Sequence, residues 1–235
     1  TIEFSSPLED VISVKLLHHI GAPMRGPEFE LVKQNPDIYI EEADEEISYQ
    51  SGNLRASIRK NEDWNIDFFS GEERIVSSQS MGMSYILTDK KEPYMREQLT
   101  LDVGELIYGL GERFTPFVKN GQTVDIWNED GGTSSEQAYK NIPLYLSNKG
   151  YGVFVNHPEK VSFEIGSEKV SKAQFSVPGE SLEYFIINGP TMKDVLEKYT
   201  TLTGKPSLPP AWTFGLWLST SFTTDYDEEP VNHFI

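Results

Sequence analysis

Apolar and polar residues alternate in short runs along most of the chain, and the apolar positions favour β-branched and aromatic side chains. Residues 11–20, 54–60, 64–70 and 83–88 show this most clearly, each flanked by turn residues, as expected of half-buried strands. Residues 47–50, 54–60 and 64–70, separated by Ser51-Gly52-Asn53 and Asn61-Glu62-Asp63, predict a three-strand meander. A second hairpin is predicted around Ser147-Asn148-Lys149-Gly150. Ile142, Leu144 and Leu146 alternate before that turn, Tyr151, Val153 and Val155 after it, so both strands are expected to keep one apolar face. The expected fold class is mainly β, a large antiparallel β-sandwich.

One segment breaks the two-residue period. Thr191 precedes Met192-Lys193-Asp194, a capping-box-like start, and Val195, Leu196, Tyr199 and Leu202 then share a helical face before Gly204 and Pro206. These signals predict one helix with defined ends. After the proline-rich stretch 205–210, residues 212–219 are apolar at nearly every position, which predicts a strand buried on both faces, as in a parallel sheet or barrel. A domain boundary near residue 206 follows, with residues 1–205 as the sandwich domain and 206–235 as a linker and the opening strand of a second domain. The chain starts at Thr1 and ends at Ile235 with no closing signal, so a piece of a longer polypeptide is expected.

Charge narrows the partners. Asp and Glu number 37 against 20 Lys and Arg, a formal net charge of -17. Phosphate-rich partners need a basic footprint, so neither nucleic acid nor an anionic membrane surface is an expected partner, and a neutral ligand is favoured. With 37% hydrophobic and 12% aromatic residues, a sizeable core is available. The chain has no cysteine, which excludes disulfides, thiolate metal sites and a cysteine nucleophile and fits a reducing, cytoplasmic location. Eight acids and one base, Lys33, lie between residues 28 and 46. They read as a solvated loop or edge strand, since no calcium-loop spacing accompanies them.

Four histidines, His18, His19, His157 and His233, lack metal-ligand spacing, and no Gly-x-Ser-x-Gly elbow is present. No metal and no cofactor is expected. Gly109-Leu110-Gly111 is too short for a nucleotide fingerprint. The long aperiodic stretch 108–141 is the strongest candidate for function, because irregular loops of this length in compact domains tend to carry it. Within it, Trp127-Asn128-Glu129-Asp130-Gly131-Gly132 combines an indole that can stack on a pyranose, carboxylates that accept hydroxyl hydrogen bonds, and glycines that permit a sharp turn. A turn in which Asp130 caps its own backbone accounts for the same residue. Phe222, directly after the apolar run, reads either as a pocket-lining aromatic at the C-terminal end of a barrel strand or as a core side chain. The acids Asp225, Asp227, Glu228 and Glu229 read as the first turn of a helix rather than a glycosidase dyad.

From residue 108 onward, the runs GLGERFTPFVKNGQTVDIWNEDGG, TSSEQAYKNIPLYLSNKGYGVFVNHPEKVSFEIGSEKVSKAQFSV, LEYFIINGPTMKDVLEKYTTLTGKPSLPPAW and FGLWLSTSFTT closely resemble the α-xylosidases of glycoside hydrolase family 31. Residues 1–107 resemble the same family's N-terminal region. The resemblance implies a galactose-mutarotase-like β-sandwich followed by a (β/α)8 catalytic barrel. It implies retaining hydrolysis of a terminal non-reducing α-linked sugar, here xylose from xyloglucan-type oligosaccharides, and a homo-oligomeric full-length enzyme. Both catalytic aspartates of the family lie beyond residue 235, so no catalytic residue is assigned. Two substrate-binding residues are carried over, Asp130 on the sandwich loop and Phe222 after the first barrel strand. An α-glucosidase of the same family and a non-catalytic carbohydrate-binding sandwich are the alternative readings.

Overall fold

In the computed structural model the described residues are 1–19, 21, 26–129 and 137–217. They form, in chain order, β1 (Ile2–Leu8), β2 (Val11–Leu17), β3 (Ile38–Glu42), β4 (Glu46–Ser51), β5 (Leu54–Arg59), β6 (Ile66–Ser70), β7 (Glu73–Ser78) and β8 (Ser84–Leu87). There follow β9 (Pro93–Thr100), β10 (Ile107–Gly109), β11 (Gln122–Ile126), β12 (Leu144–Ser147), β13 (Tyr151–Val155), β14 (Val161–Ile165), β15 (Lys172–Pro178), β16 (Ser181–Asn188) and the helix α1 (Met192–Thr203). One sheet has the order β1-β2-β16-β13-β12-β10, and the other β11-β14-β15-β9-β7-β6-β5-β4-β3 with β8 paired to β9. The predicted meander is present as β4, β5 and β6, paired antiparallel in sequence.

Alternation decides which side chains meet between the sheets. Ile12, Val14 and Leu16 of β2 and Leu182, Tyr184 and Ile186 of β16 face Phe68, Leu99, Phe163 and Phe175 of the second sheet in one buried cluster. Removing such side chains from water contributes roughly 1.5–3 kcal/mol each. The acidic stretch runs through β3, an edge strand whose Glu41 and Glu42 are exposed, and charge there discourages edge-to-edge pairing.

The hairpin at 144–155 departs from its sequence pattern in one respect. The register pairs Leu144 with Phe154 and Tyr145 with Val153. Leu144, Leu146 and Phe154 therefore lie on the outer face of the sheet, whereas Tyr145, Tyr151, Val153 and Val155 lie in the inter-sheet core. Both faces of the hairpin are apolar because α1 covers the outer one through Val195 and Leu202, with Tyr199 edge-on to Phe154. Leu196, predicted for the buried face of the helix, is instead 42% exposed. The helix starts with the predicted capping box, Thr191 bonding the Asp194 amide and Asp194 the Thr191 amide, and ends at Gly204 with φ 96°.

Two carboxylates are held inside the sandwich by hydrogen-bond donors. Glu97, on the inward face of β9, accepts hydrogen bonds from Ser78 Oγ (2.9 Å), the Gln98 amide (2.8 Å) and Tyr184 Oη (3.1 Å), the last crossing from one sheet to the other. Burial raises its carboxyl to about 7 despite those donors. Glu105, equally buried, accepts from Ser147 Oγ and Tyr151 Oη, each at 2.6 Å.

The chain divides into two compact units, Thr1–Gly204 and Lys205–Ile235. In the second, the described part of the predicted strand, residues 212–217, does not form one. Ala211–Phe214 form a 3-10 turn, residues 215–217 are not a strand, and Trp212, Phe214, Leu216 and Trp217 are each more than 70% exposed. A strand needs a neighbour to satisfy its backbone groups, and no described strand pairs with this run. Local bonds take over instead, from the Thr213 amide to Pro210 O (3.0 Å) and the Gly215 amide to Trp212 O (3.1 Å). Residues 218 and 219, and Phe222, lie outside the described residues.

Candidate sugar-binding loop

The 108–141 stretch is irregular yet tightly held at its base. Gly109, Leu110 and Gly111 have successive φ values of 98°, 63° and 86°, a left-handed run that glycine adopts without strain. It lets the backbone pass close to residues 140–144. A Cβ on Gly109 would meet Leu144 O at 2.7 Å, and one on Gly111 would meet Lys140 O at 2.0 Å. The approach is held by bonds from the Leu110 amide to Leu144 O and the Glu112 amide to Lys140 O, both 2.9 Å. Close backbone packing, rather than phosphate binding, explains the glycine pair. On the far side, Lys119 is buried, donating to Thr115 Oγ1 (3.1 Å) and Pro116 O (2.9 Å). Burial, and secondarily Arg113, holds its ammonium below the usual lysine range.

Arg113 and Asn141 organise the loop that follows β11. Arg113 donates through Nε to Leu110 O (3.0 Å) and through Nη2 to Asp125 O (2.7 Å) and Asn141 Oδ1. Asn141 Nδ2 lies within hydrogen-bonding distance of Trp127 O (2.8 Å), Asn128 Oδ1 (2.8 Å) and Ala138 O (2.7 Å). An isolated bridge joins Asn128 to Ala138, and Gln137 bonds Glu129. Asp130, the predicted binding residue, lies in segment 130–136, outside the described residues, and this base fixes the residues on either side of it.

The surface beside the base is a cleft of about 530 Å³ whose lining includes Arg113, Asp125, Trp127, Glu129, Gln137 and Lys160. Trp127 is half exposed there, and Lys160 pairs with Asp125. Such a wall offers hydroxyl-binding donors and acceptors next to an apolar ring. A larger cleft of about 1390 Å³ lies on the outer side of β1, β2 and β16. The Glu183 carboxylate there is already engaged by Ser13 Oγ (3.0 Å) and Asn156 Nδ2 (2.8 Å), and nothing on that surface matches the sequence's candidate chemistry. The loop-side cleft is therefore the candidate site. Among the described residues no group of three or more His, Asp or Glu side chains is placed to hold a metal ion.

Trp127 and Glu129, legible in the sequence, do line one cleft together. Arg113 and Asn141 carry no local signal, because they are 28 residues apart and meet only in the folded chain.

The first unit is a two-sheet antiparallel sandwich with a long, internally bonded loop between its strands. Residues 1–164 match the family model described as the glycosyl hydrolase 31 N-terminal galactose mutarotase-like domain, and the chain belongs to glycoside hydrolase family 31. It is 54% identical over its whole length to an α-xylosidase of Lactiplantibacillus pentosus and 46% identical over 98% of its length to one of Emericella nidulans, covering 31% and 32% of them. The chain thus spans about a third of the length of these curated relatives. Among solved structures, a family 31 dextranase of Flavobacterium johnsoniae in complex with isomaltotriose superposes with a TM-score of 0.81 over 91% of this chain and 27% of that one, at 22% identity. A family 31 α-xylosidase from a soil metagenome in complex with xylose gives 0.72 over 88% of this chain and 33% of that one, at 16% identity. At these identities the two structures establish the fold.

Proposed function

We propose that this chain is the sandwich domain and the segment leading into the (β/α)8 barrel of a retaining, exo-acting α-xylosidase that removes terminal non-reducing α-linked xylose from xyloglucan-type oligosaccharides. The observation that carries the reading is the 54% identity to an α-xylosidase along the whole chain, with no region left out. In this reading an aspartate beyond residue 235 attacks the anomeric carbon as a second aspartate protonates the leaving oxygen. Water then releases xylose with its configuration retained. The chain's own contribution is binding. Asp130 accepts hydroxyl hydrogen bonds from the sugar, and Phe222 packs against its ring. Burial of both side chains against the substrate would strengthen these contacts by excluding water. The absence of cysteine supports a reducing, cytoplasmic location, and the net charge supports a neutral saccharide as ligand.

The experiment is xylose release from xyloglucan oligosaccharides by the full-length protein, with the anomer followed by proton NMR. The α-anomer of xylose is expected first. Initial release of the β-anomer rejects the retaining mechanism, and no xylose release rejects the substrate. An α-glucosidase is the second reading, supported by 36% identity over 157 residues to an α-glucosidase of Saccharolobus solfataricus, which covers 64% of this chain and 23% of that protein.

A further inference from the structure

β11 is an edge strand, and its alternation sets a short row of side chains on one face. Val124 and Ile126 are buried in the inter-sheet core, so Thr123, Asp125 and Trp127, the residue directly after the strand, turn the other way. All three line the cleft of about 530 Å³. Trp127 is 52% exposed. Its backbone is nevertheless fixed, since Trp127 O accepts from Asn141 Nδ2 (2.8 Å) and the neighbouring Asn128 bridges to Ala138. An indole held this way presents a flat apolar face with its main chain already ordered. The charges around it balance. The lining carries two acids, Asp125 and Glu129, and two bases, Arg113 and Lys160, in a chain whose net charge is -17. Asp125 is paired with Lys160 (2.5 Å), and Glu129 accepts from the Gln137 side-chain amide (2.5 Å). An anion there would meet the carboxylates and a cation the two bases, whereas hydroxyl groups both donate and accept and suit either. An apolar ring beside balanced polar groups therefore fits a neutral pyranose.

We propose that Trp127 is the platform of a subsite for a leaving-side sugar, a pyranose of the oligosaccharide beyond the bond that is cleaved, with Lys160 and Asp125 bonding its hydroxyls. A terminal sugar ends its chain and can be enclosed. The remainder of the oligosaccharide has to run out along an open wall, and Asp125 and Lys160, each about half exposed, form one. The inference rests on the exo-acting α-xylosidase reading above and adds which part of the substrate the sandwich surface holds. It uses Trp127, Asp125 and Lys160 and needs neither Asp130 nor Phe222.

The test compares two substrates of the full-length protein. A xyloglucan heptasaccharide has sugars on the leaving side, and α-xylosyl fluoride has none. In Trp127→Ala the ratio of kcat/KM on the heptasaccharide to that on the fluoride is expected to fall about 10- to 100-fold, chiefly through KM of the heptasaccharide, the scale on which truncating a tryptophan anchor acts. Trp127→Phe is expected to recover most of the ratio and Trp127→Leu little, because stacking needs a flat face and not only apolar volume. If Trp127→Ala does not fold, Lys160→Ala, at an exposed position, is expected to lower the same ratio about two- to fivefold through a lost hydroxyl bond. An unchanged ratio in folded variants, whether both substrates suffer equally or neither does, overturns the inference and leaves the α-xylosidase reading standing. A wild-type protein that hydrolyses neither substrate overturns that reading, and the inference with it.

Discussion

Around Phe163, aromatic side chains from both sheets meet fully buried. Its ring lies 6.3 Å from that of Tyr145 and 5.9 Å from that of Phe175. Around Asn141 the chain is shaped by directional bonds to backbone oxygens. The first region is held by area removed from water, which is insensitive to small changes of angle. The second depends on donor geometry, which is lost over a few tenths of an ångström. Stability is therefore concentrated in the sandwich, and loop shape in a handful of polar groups at its end.

Phe163→Ala is expected to have the largest effect, about 3–5 kcal/mol of unfolding free energy in urea, while KM of the surviving folded protein stays unchanged. A marked rise in KM would break the division between core and loop.

Next comes the carboxylate inside the core. Glu97 has its ordinary value of 4.5 raised to about 7, first by burial, with the bonds from Ser78, Gln98 and Tyr184 and the charge of Lys172 opposing. The folded chain holds this proton more tightly than the unfolded chain. The associated stability is therefore fully present below about pH 4.5 and is lost as pH rises through about 7, roughly 3 kcal/mol in all by linkage. Glu97→Gln is expected to flatten this slope between pH 4.5 and 8 in unfolding curves taken across that range. An unchanged slope in the variant contradicts the assignment.

Gly111→Ala sharpens the comparison from the loop side. Its Cβ would stand 2.0 Å from Lys140 O in a backbone with φ 86°. A cost of about 1–3 kcal/mol is expected for such a strained residue, together with a rise in KM, and wild-type KM would show that the loop base tolerates the displacement. Thr191→Ala is the mildest, about 1 kcal/mol through loss of the helix cap, with no kinetic change.

These contrasts also explain what could be read from the chain directly. Two-residue alternation and turn residues reveal the meander through β4, β5 and β6, and the Thr191–Asp194 box marks the start of α1, because both signals are local. Face assignment is not local. Leu144 and Leu146 alternate as cleanly as Val153 and Val155, yet the register with Phe154 puts them on opposite faces, and only the position of α1 explains why both are apolar. Glu97 left a faint trace, an acid between Met95 and Leu99 on an inward face. At 212–217 apolarity signals a need for burial but does not supply a pairing partner among the described residues. For the site, Trp127 and Glu129 are legible from their chemistry, whereas the Arg113–Asn141 bond joins residues 28 positions apart.

Under the proposed function the sandwich belongs to an enzyme selective for α-xylosides. That selectivity is tested most directly by measuring kcat/KM of the full-length protein on aryl α-xyloside and aryl α-glucoside side by side. A clear preference for the xyloside is expected, at least about tenfold, the scale on which one substituent in a shaped pocket is discriminated. Equal or better turnover of the glucoside would contradict it.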